Sequence, residues 1–413
     1  MKDVHFTPNA QAVSGGRRGA MTIASAIVIG TAVLFVFGLQ PIILGGAVDN
    51  GLISEKGAGL LAMLELVTLA TGALIGPFVM DRMRVKVAIG AAALVAVDLL
   101  ALNAHNTTDL LVQRTIAGLI EGLLLGPVSL IIAHSARPEL SSGLFLGLSG
   151  FPQIAFAYLI PLLVRPVNRM SASFIVLAIV SALAVLASPF LVDRVESHSA
   201  VAGSKIRWSG PLILLVAAIF LQNAGINAVW AYTEQIIADR GFGAGLIGLV
   251  VALGILGQLA GALVTGTLSR FIPTAPGLIA ACALQLSMIV VITFVSAPVI
   301  LTPTLFVLSL LWISPQPLQL AALISGDPSR KLATLLTPIV LFGFAAGPAL
   351  ASVGIRGPHL DGGLYICMAL LGLALVLTTL SVRKLVGGND QPARRAAEPI
   401  QEARQVSPLK KAK

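Results

Sequence analysis

Apolar residues occur along the chain in stretches of about 20 or more, separated by short polar connections. A stretch of this length spans the hydrocarbon core of a bilayer as an α-helix. We therefore predict an all-α membrane protein with twelve transmembrane helices, most of them longer than the minimum and so tilted or projecting into water. The predicted spans are 21–49, 56–80, 86–104, 108–135, 141–164, 171–192, 208–236, 244–269, 276–296, 299–325, 331–353 and 362–382.

The composition supports this prediction and argues against a soluble protein and a nucleic-acid-binding protein. Of the 413 residues 56% are hydrophobic and 11% charged, with a mean hydropathy of +0.94, whereas soluble domains carry about 25% charged residues. The net charge of +9 arises in the tails and short connections, so we expect no nucleic-acid partner. The two cysteines, Cys282 and Cys367, fall in separate apolar stretches, and we expect neither a disulfide nor a metal site.

The distribution of basic residues predicts the orientation. If the N-terminus is cytoplasmic, most of the 27 Lys and Arg residues lie on the cytoplasmic side. We therefore expect a multi-pass protein of the plasma (inner) membrane with both termini in the cytoplasm. The expected organisation is an N-tail (1–20), a six-helix bundle (21–192), a linker (193–207), a second six-helix bundle (208–383) and a basic C-tail (384–413).

Two short motifs recur in the two predicted bundles. "GAGLLA" at 57–62 returns as "GAGLIG" at 243–248, and "GALIGPFVMDR" at 72–82 returns as "GALVTGTLSR" at 261–270. Both recurrences fall at the ends of the second and eighth predicted helices. A parallel repeat of six helices is typical of secondary transporters whose halves rock about a central site.

With these features the sequence resembles the major facilitator superfamily over residues 20–385. The segment "GPFVMDRMRVK" between the second and third helices is similar to the cytoplasmic signature of that superfamily, with Arg84 in place of its second glycine. The resemblance implies a gating role for Asp81, Arg82 and Lys86. The alternative is a solvated charge cluster that only sets the topology.

Four charged residues lie around the midplane of the predicted N-terminal bundle: Glu65, Asp98, Arg114 and Glu121. A charge in hydrocarbon costs at least about 2.5–3.5 kcal/mol, so such residues face a partner or a water-filled cavity. From its depth we expect Glu65 to pair with Arg114. Helical side chains lean toward the N-terminus, so Arg114 should point away from Glu121 and meet it only through water, if at all.

These acids are the candidates for proton coupling, with Glu121 first, followed by Glu65 and Asp98. The alternative is a static network that stabilises the N-terminal half, which we favour for Asp98. The segment "RTIAGLIEG" resembles the fourth helix of the anion:cation symporters, through Arg114, Gly118, Glu121 and Gly122. That resemblance implies an Arg and a Glu beside the substrate. A single intramembrane arginine would suit a monocarboxylate.

Amides and one tryptophan at mid-depth complete the predicted substrate site. Amides could hydrogen-bond a solute or join helices to each other. Trp230 and Tyr232 are expected in an interfacial belt and Glu234 at the outer surface. The substrate-binding candidates are Arg114, Gln40, Gln153, Gln222, Asn223, Asn227, Gln258, Trp312 and Gln316.

We therefore expect a monomeric transporter with no cofactor or metal, driven by the proton gradient and importing a small organic solute such as a monocarboxylic or aromatic acid. A proton/drug antiporter is the main alternative, and a receptor that has lost transport is a weaker one. The chain shows none of the HExxH, GxSxG or P-loop motifs, which argues against an enzyme.

Overall fold

The computed structural model describes residues 17–79, 82–135, 138–192, 206, 208–268, 271–327, 331–356 and 359–387. Throughout this described part the chain is helical, apart from turns and one isolated bridge between Arg356 and His359. The first half contains α1 (Arg17–Asp49), α2 (Glu55–Val79), α3 (Met83–Ala101), α4 (Thr107–Ala133), α5 (Pro138–Leu163) and α6 (Arg169–Ala187). The second half contains α7 (Gly210–Ala231), α8 (Thr233–Asp239), α9 (Ala244–Leu268), α10 (Thr274–Phe294), α11 (Pro298–Ile313), α12 (Gln316–Gly326), α13 (Lys331–Thr334), α14 (Leu336–Gly354) and α15 (Asp361–Gly387).

Eleven helical segments of the described chain are long and apolar enough to cross a membrane. The helix α3 is a twelfth crossing of 19 residues, which carries three charged residues, Arg84, Lys86 and Asp98. The tenth crossing is formed by α11 and α12 together, Pro298–Gly326, and breaks at Pro315, which has no N–H to continue the helix. The predicted all-α architecture of twelve transmembrane helices in two parallel six-helix repeats is confirmed.

Contacts between helix ends define the two sides of the molecule. Thr22 near the start of α1 donates a hydrogen bond to the Phe190 carbonyl after α6 (3.1 Å). Ser381 near the end of α15 donates one to the Pro211 carbonyl at the start of α7 (2.8 Å). We call this side, where α1 and α7 begin, the terminal side, and the opposite side, where they end, the distal side.

Glycines bring equivalent helix pairs close together in the two halves. In the first half α2 packs along α4, and Gly72 of α2 lies against the Leu119 carbonyl. In the second half α9 packs along α11, and Gly261 of α9 lies against the Leu310 carbonyl. A Cβ at either glycine would meet backbone atoms. The two halves contact each other mainly through α2 with α14 and α5 with α9.

Candidate functional site

A cluster of four buried charges lies inside the first half. The Arg114 guanidinium is fully buried, with Nε 2.9 Å from Glu65 Oε1 and Nη1 2.9 Å from Asp98 Oδ1. Its Nη2 lies 3.5 Å from Glu121 Oε1, and the Phe174 ring packs 5.2 Å from its Cζ. The guanidinium thus links α2, α3 and α4 and contacts α6. We call Glu65, Asp98, Arg114 and Glu121 the charge cluster.

The N-cap of α4 and two of its glycines position this helix around the charge cluster. Its N-cap, Asn106, accepts a hydrogen bond from the Asp109 amide (2.9 Å), which satisfies a donor of the first turn. Gly118 and Gly122 then allow the backbone of α4 to contact the Glu65 and Leu69 carbonyls of α2. This close approach brings the carboxylate of Glu65 to the guanidinium on the neighbouring helix.

The expected pairing of Arg114 with Glu65 is confirmed, but the expected separation of Arg114 from Glu121 is wrong. Their side chains contact each other directly at 3.5 Å. The physical reason is that Glu121 itself leans toward the N-terminus of α4, which directs it back toward Arg114. Glu121 Oε2 has no hydrogen-bond partner among the described residues.

A cavity of about 210 Å³ lies between the two halves. Four aromatic rings surround it: Phe37 of α1, Trp230 of α7, Trp312 of α11 and Phe344 of α14. The Trp312 and Phe344 rings pack edge to face with centroids 5.1 Å apart, and the Trp230 and Trp312 centroids are 6.0 Å apart. Its volume is below the roughly 300–1,000 Å³ of drug-sized pockets, so the cavity suits a small solute.

Polar groups of the cavity come from α5 and α9. Gln153 and Gln258 both contribute to the lining, together with Ser149. Gln153 lies against Gly38, where any Cβ would collide with its amide. The described lining contains no charged side chain. The cavity therefore offers aromatic faces and hydrogen-bonding amides rather than a fixed charge.

Comparison with known proteins identifies the family. A family model described as "Major Facilitator Superfamily" matches residues 19–337, which is well over half of the chain. The protein belongs to the major facilitator superfamily. Curated protein sequences give no significant match.

Solved structures of superfamily transporters share the fold. A crystal structure of the nucleoside transporter NupG superposes with a TM-score of 0.70 at 12% identity, covering 87% of this chain and 98% of that one. A bacterial homologue of the human lysosomal transporter Spinster, described as inward-facing and unoccupied, gives 0.62 at 13% identity, covering 90% and 95%. These structures support the fold, while the family match identifies the chain as a membrane transporter rather than an enzyme.

The cavity of this superfamily member includes only part of the predicted substrate site. Gln153, Gln258 and Trp312 line it. Arg114 is buried in the charge cluster and outside the described lining, and Gln40 is buried on α1 with its Oε1 unpaired among the described residues. The substrate-binding roles of these residues stay predictions.

The other predicted amides mostly join helices within the second half. Gln222 donates to Gln285 Oε1 (2.7 Å) and accepts from Gln319 Nε2 (2.8 Å), while Gln285 donates to the Leu311 carbonyl. We call Gln222, Gln285 and Gln319 the amide network. Asn223 donates to the carbonyl of Ile219 and Asn227 to that of Phe344, both at 2.8 Å. Gln316 is half-exposed at the start of α12 and lies outside the described cavity lining.

Three polar contacts join the halves toward the distal side. Trp230 Nε1 donates to the Phe37 carbonyl (2.9 Å), and the Tyr232 hydroxyl donates to the Glu55 carbonyl (3.1 Å). Arg169 and Glu234 form an ion pair of 2.5 Å. We call these three contacts the distal gate. All three contacts cross the interface between the halves, and Trp230 also lines the cavity.

The distal gate corrects three expectations. Trp230 and Tyr232 do not form an interfacial belt, and Glu234 is not a surface charge, since the side chains of all three are buried. The reason in each case is a partner on the other half of the chain. Their sequence positions near the end of α7 resemble those of interfacial residues, and contacts across a long sequence separation leave no periodic signal.

Of the predicted gating residues, Asp81 lies outside the described residues. Arg82 is exposed just before α3 and adopts a left-handed backbone conformation with φ 54°. Lys86 is half-buried near the start of α3. The gating role of these three residues stays a prediction. The neighbouring Arg84 donates from Nε to the Leu191 carbonyl (2.6 Å).

Proposed function

We propose that this chain is a proton-coupled, alternating-access transporter that takes up a small organic solute with an aromatic or other planar part. The terminal side is then cytoplasmic, and the distal gate closes the outer side. The observation that carries the proposal is the charge cluster, in which three carboxylates share one guanidinium away from water.

The charge balance of the cluster supports proton binding. If all three acids were ionised, the cluster would carry a net charge of minus two inside the first half. A buried charge that is not neutralised costs several kcal/mol even after the protein relaxes. Two protons on the carboxylates would make the cluster neutral, and Glu121 is the first candidate because its Oε2 is free of partners among the described residues.

A mechanical connection links the cluster to the interface between the halves. Glu65 lies on α2, and the same helix contacts α14 of the second half. The approach is close, because a Cβ on Gly59 would lie 2.5 Å from the Pro348 carbonyl oxygen. A change in proton occupancy alters the attraction between Glu65 and Arg114, and so the packing of α2 on α4. In our proposal this shift of α2 is transmitted to α14 and biases the opening of the cavity.

The cavity supports a planar solute. Aromatic rings stack favourably in edge or offset arrangements, and four rings surround the available volume. Gln153 and Gln258 provide donors and acceptors for the polar edge of the solute. A monocarboxylic acid fits this arrangement if its ring occupies the aromatic part. In our proposal the carboxylate reaches Arg114 only after a rearrangement, because that guanidinium is fully buried.

The test is uptake into proteoliposomes under an inward proton gradient. The panel contains radiolabelled aromatic monocarboxylates, neutral planar solutes such as nucleosides, dicarboxylates and lipophilic cations. We expect accumulation above equilibrium of a planar solute or aromatic monocarboxylate. The variant Glu121→Gln should lose this uphill accumulation and keep exchange of solute for solute. The exposed Asp361→Asn is the matched control and should accumulate solute normally.

One observation favours a second candidate, a proton/drug antiporter. Cations bind aromatic faces, and the cavity has four of them. If only the lipophilic cations of the panel are transported, and in the direction opposite to the protons, the protein is a proton/drug antiporter. If Glu121→Gln accumulates solute as the parent does, the proton role of Glu121 is wrong for either direction of transport.

A further inference from the structure

The distal gate contains the only cross-half ion pair that the described residues show. Arg169 begins α6 in the first half, and Glu234 belongs to the seven-residue helix α8 in the second half. Arg169 Nη1 lies 2.5 Å from Glu234 Oε1, and both side chains are about 3% exposed. Charges buried between two moving halves become hydrated when those halves separate.

Two glycines near the end of α1, Gly45 and Gly46, make the burial of this ion pair possible. A Cβ at Gly45 would lie 2.5 Å from Cδ of Glu234, and one at Gly46 would lie 2.6 Å from the Met170 amide nitrogen. The two glycines therefore let α8 and the start of α6 both reach the end of α1. Any movement of α8 away from α1 exposes the carboxylate of Glu234.

Arg169 interacts with a second carboxylate in addition to Glu234. Asp49 at the end of α1 also interacts with Arg169, from an exposed position. Glu234 Oε2 and Arg169 Nε have no hydrogen-bond partner among the described residues. One guanidinium is thus shared by two carboxylates, and one oxygen of the buried carboxylate is left free to carry a proton.

Among the residues that the structure describes, Arg169 is the one cation that acts on Glu234. On α7, the Tyr232 hydroxyl contacts the Glu55 carbonyl, and the sequence of α9 contains no titratable residue. On α8 itself, Asp239 is exposed. Next to it, Arg240 is directed at the carbonyls of Ile292 and Val295.

We propose that Glu234 is a proton-binding site of the distal gate, and that the gate takes up this proton when it closes. Protons from the distal compartment would then favour closure independently of the charge cluster. This site goes beyond the proposed function, because it needs two conformations of the distal side but neither a particular solute nor a proton on Glu121.

The direction of the pH effect follows from burial. Desolvation raises the pKa of Glu234 from 4.5 to about 8 in the closed gate, although Arg169 opposes the rise. In an open gate the hydrated carboxyl would return toward its ordinary pKa. The closed state therefore binds the proton more tightly. Closure is favoured below about pH 8 and is lost as the pH rises through that value.

The experiment measures the distance across the distal side in the full chain, reconstituted in lipid without solute. Spin labels are attached at Asn103→Cys and Ala238→Cys, two exposed positions on opposite halves, with the buried Cys282 and Cys367 replaced by serine. As the pH is lowered from about 9 to 6, we expect the short-distance population to grow, because the closed state binds the proton more tightly. When Glu234→Gln is added to Glu121→Gln, which removes the proposed proton site of the charge cluster, the distribution should be the same at both pH values.

Controls separate this proposal from the general transport proposal. Asp239→Asn removes an exposed carboxylate from the same helix and should keep the pH response. Glu121→Gln should also keep it, even where uphill uptake is lost. A pH response that persists when Glu234→Gln is combined with Glu121→Gln, or none in the parent, overturns the proposal.

A second variant covers the case in which Glu234→Gln does not fold. Arg169→Gln removes the cation that favours ionised Glu234, so the midpoint of closure should move to higher pH. A midpoint that stays unchanged in this variant contradicts proton binding at Glu234. Size-exclusion chromatography in detergent establishes which variants are folded.

Discussion

The α2–α4 contact of the first half and the α9–α11 contact of the second half are both close helix contacts, but only the first contains charged side chains. In each pair a glycine, Gly72 or Gly261, contacts a backbone carbonyl of the partner helix. In the first half the pair also holds three members of the charge cluster. In the second half α9 and α11 contain no charged residue at all.

This difference shows that packing alone does not require the charges. The second half holds the equivalent helices together with glycines and apolar side chains, and adds only the neutral amide network nearby. Burying three carboxylates with one arginine is costly compared with an apolar core. The comparison therefore favours a functional role for the cluster, which is the role that the proton-coupling proposal gives it.

The largest effect is expected for Arg114→Ala. Removing the guanidinium leaves Glu65, Asp98 and Glu121 without their shared cation, and breaking a buried pair costs about 3–5 kcal/mol. Thermal unfolding in detergent should show a large loss of stability, and the loss should be smaller at low pH, where the acids are neutral. The exposed Arg165→Ala should leave the unfolding temperature unchanged. Equal losses at low and neutral pH would contradict the charge imbalance.

A smaller effect is expected for the amide network. Gln222→Leu leaves the Gln285 and Gln319 amides each without one partner, at about 1–3 kcal/mol per unsatisfied group. Because the network is neutral, the loss of stability should be independent of pH. Hence the loss of thermal stability should depend on pH for Arg114→Ala in the first half but not for Gln222→Leu in the second. A pH-dependent loss in Gln222→Leu would contradict this difference between the halves.

The fold could be predicted from the sequence because span length and apolar composition are local properties. The depth of each charge along its helix also predicted the Arg114–Glu65 pair correctly. The distal gate could not be predicted in this way. Arg169 and Glu234 lie 65 residues apart on different halves, and each taken alone is typical of a charge at a membrane surface.

The amides show a second limit of sequence reasoning. Gln222 and Gln258 occupy similar depths in apolar helices, yet Gln222 joins three helices and Gln258 lines the cavity. The difference depends on the rotation of each helix about its axis. In α7 and α9 nearly every residue is apolar, so periodicity indicates no preferred face. Only the packed structure assigns each amide to a helix contact or to the cavity.

The smallest of these effects compares the two glycine contacts directly. Gly72→Ala and Gly261→Ala each place a Cβ against a backbone carbonyl that cannot rotate away, and such overpacking costs about 1–3 kcal/mol. The two losses should be similar, which thermal unfolding measures. Gly147→Ala and Gly372→Ala, where a Cβ meets open space, are the matched controls and should be neutral or slightly stabilising.

The pH dependence of transport should distinguish Gly72→Ala from Gly261→Ala, although their losses of stability should be similar. Gly72 lies on α2, the helix that carries Glu65 and contacts α14, so Gly72→Ala should also shift the pH dependence of proteoliposome uptake. Gly261 lies on α9, which carries no charge, and Gly261→Ala should lower uptake equally at every pH. A matching pH shift in both variants would mean that proton coupling is not confined to the first half.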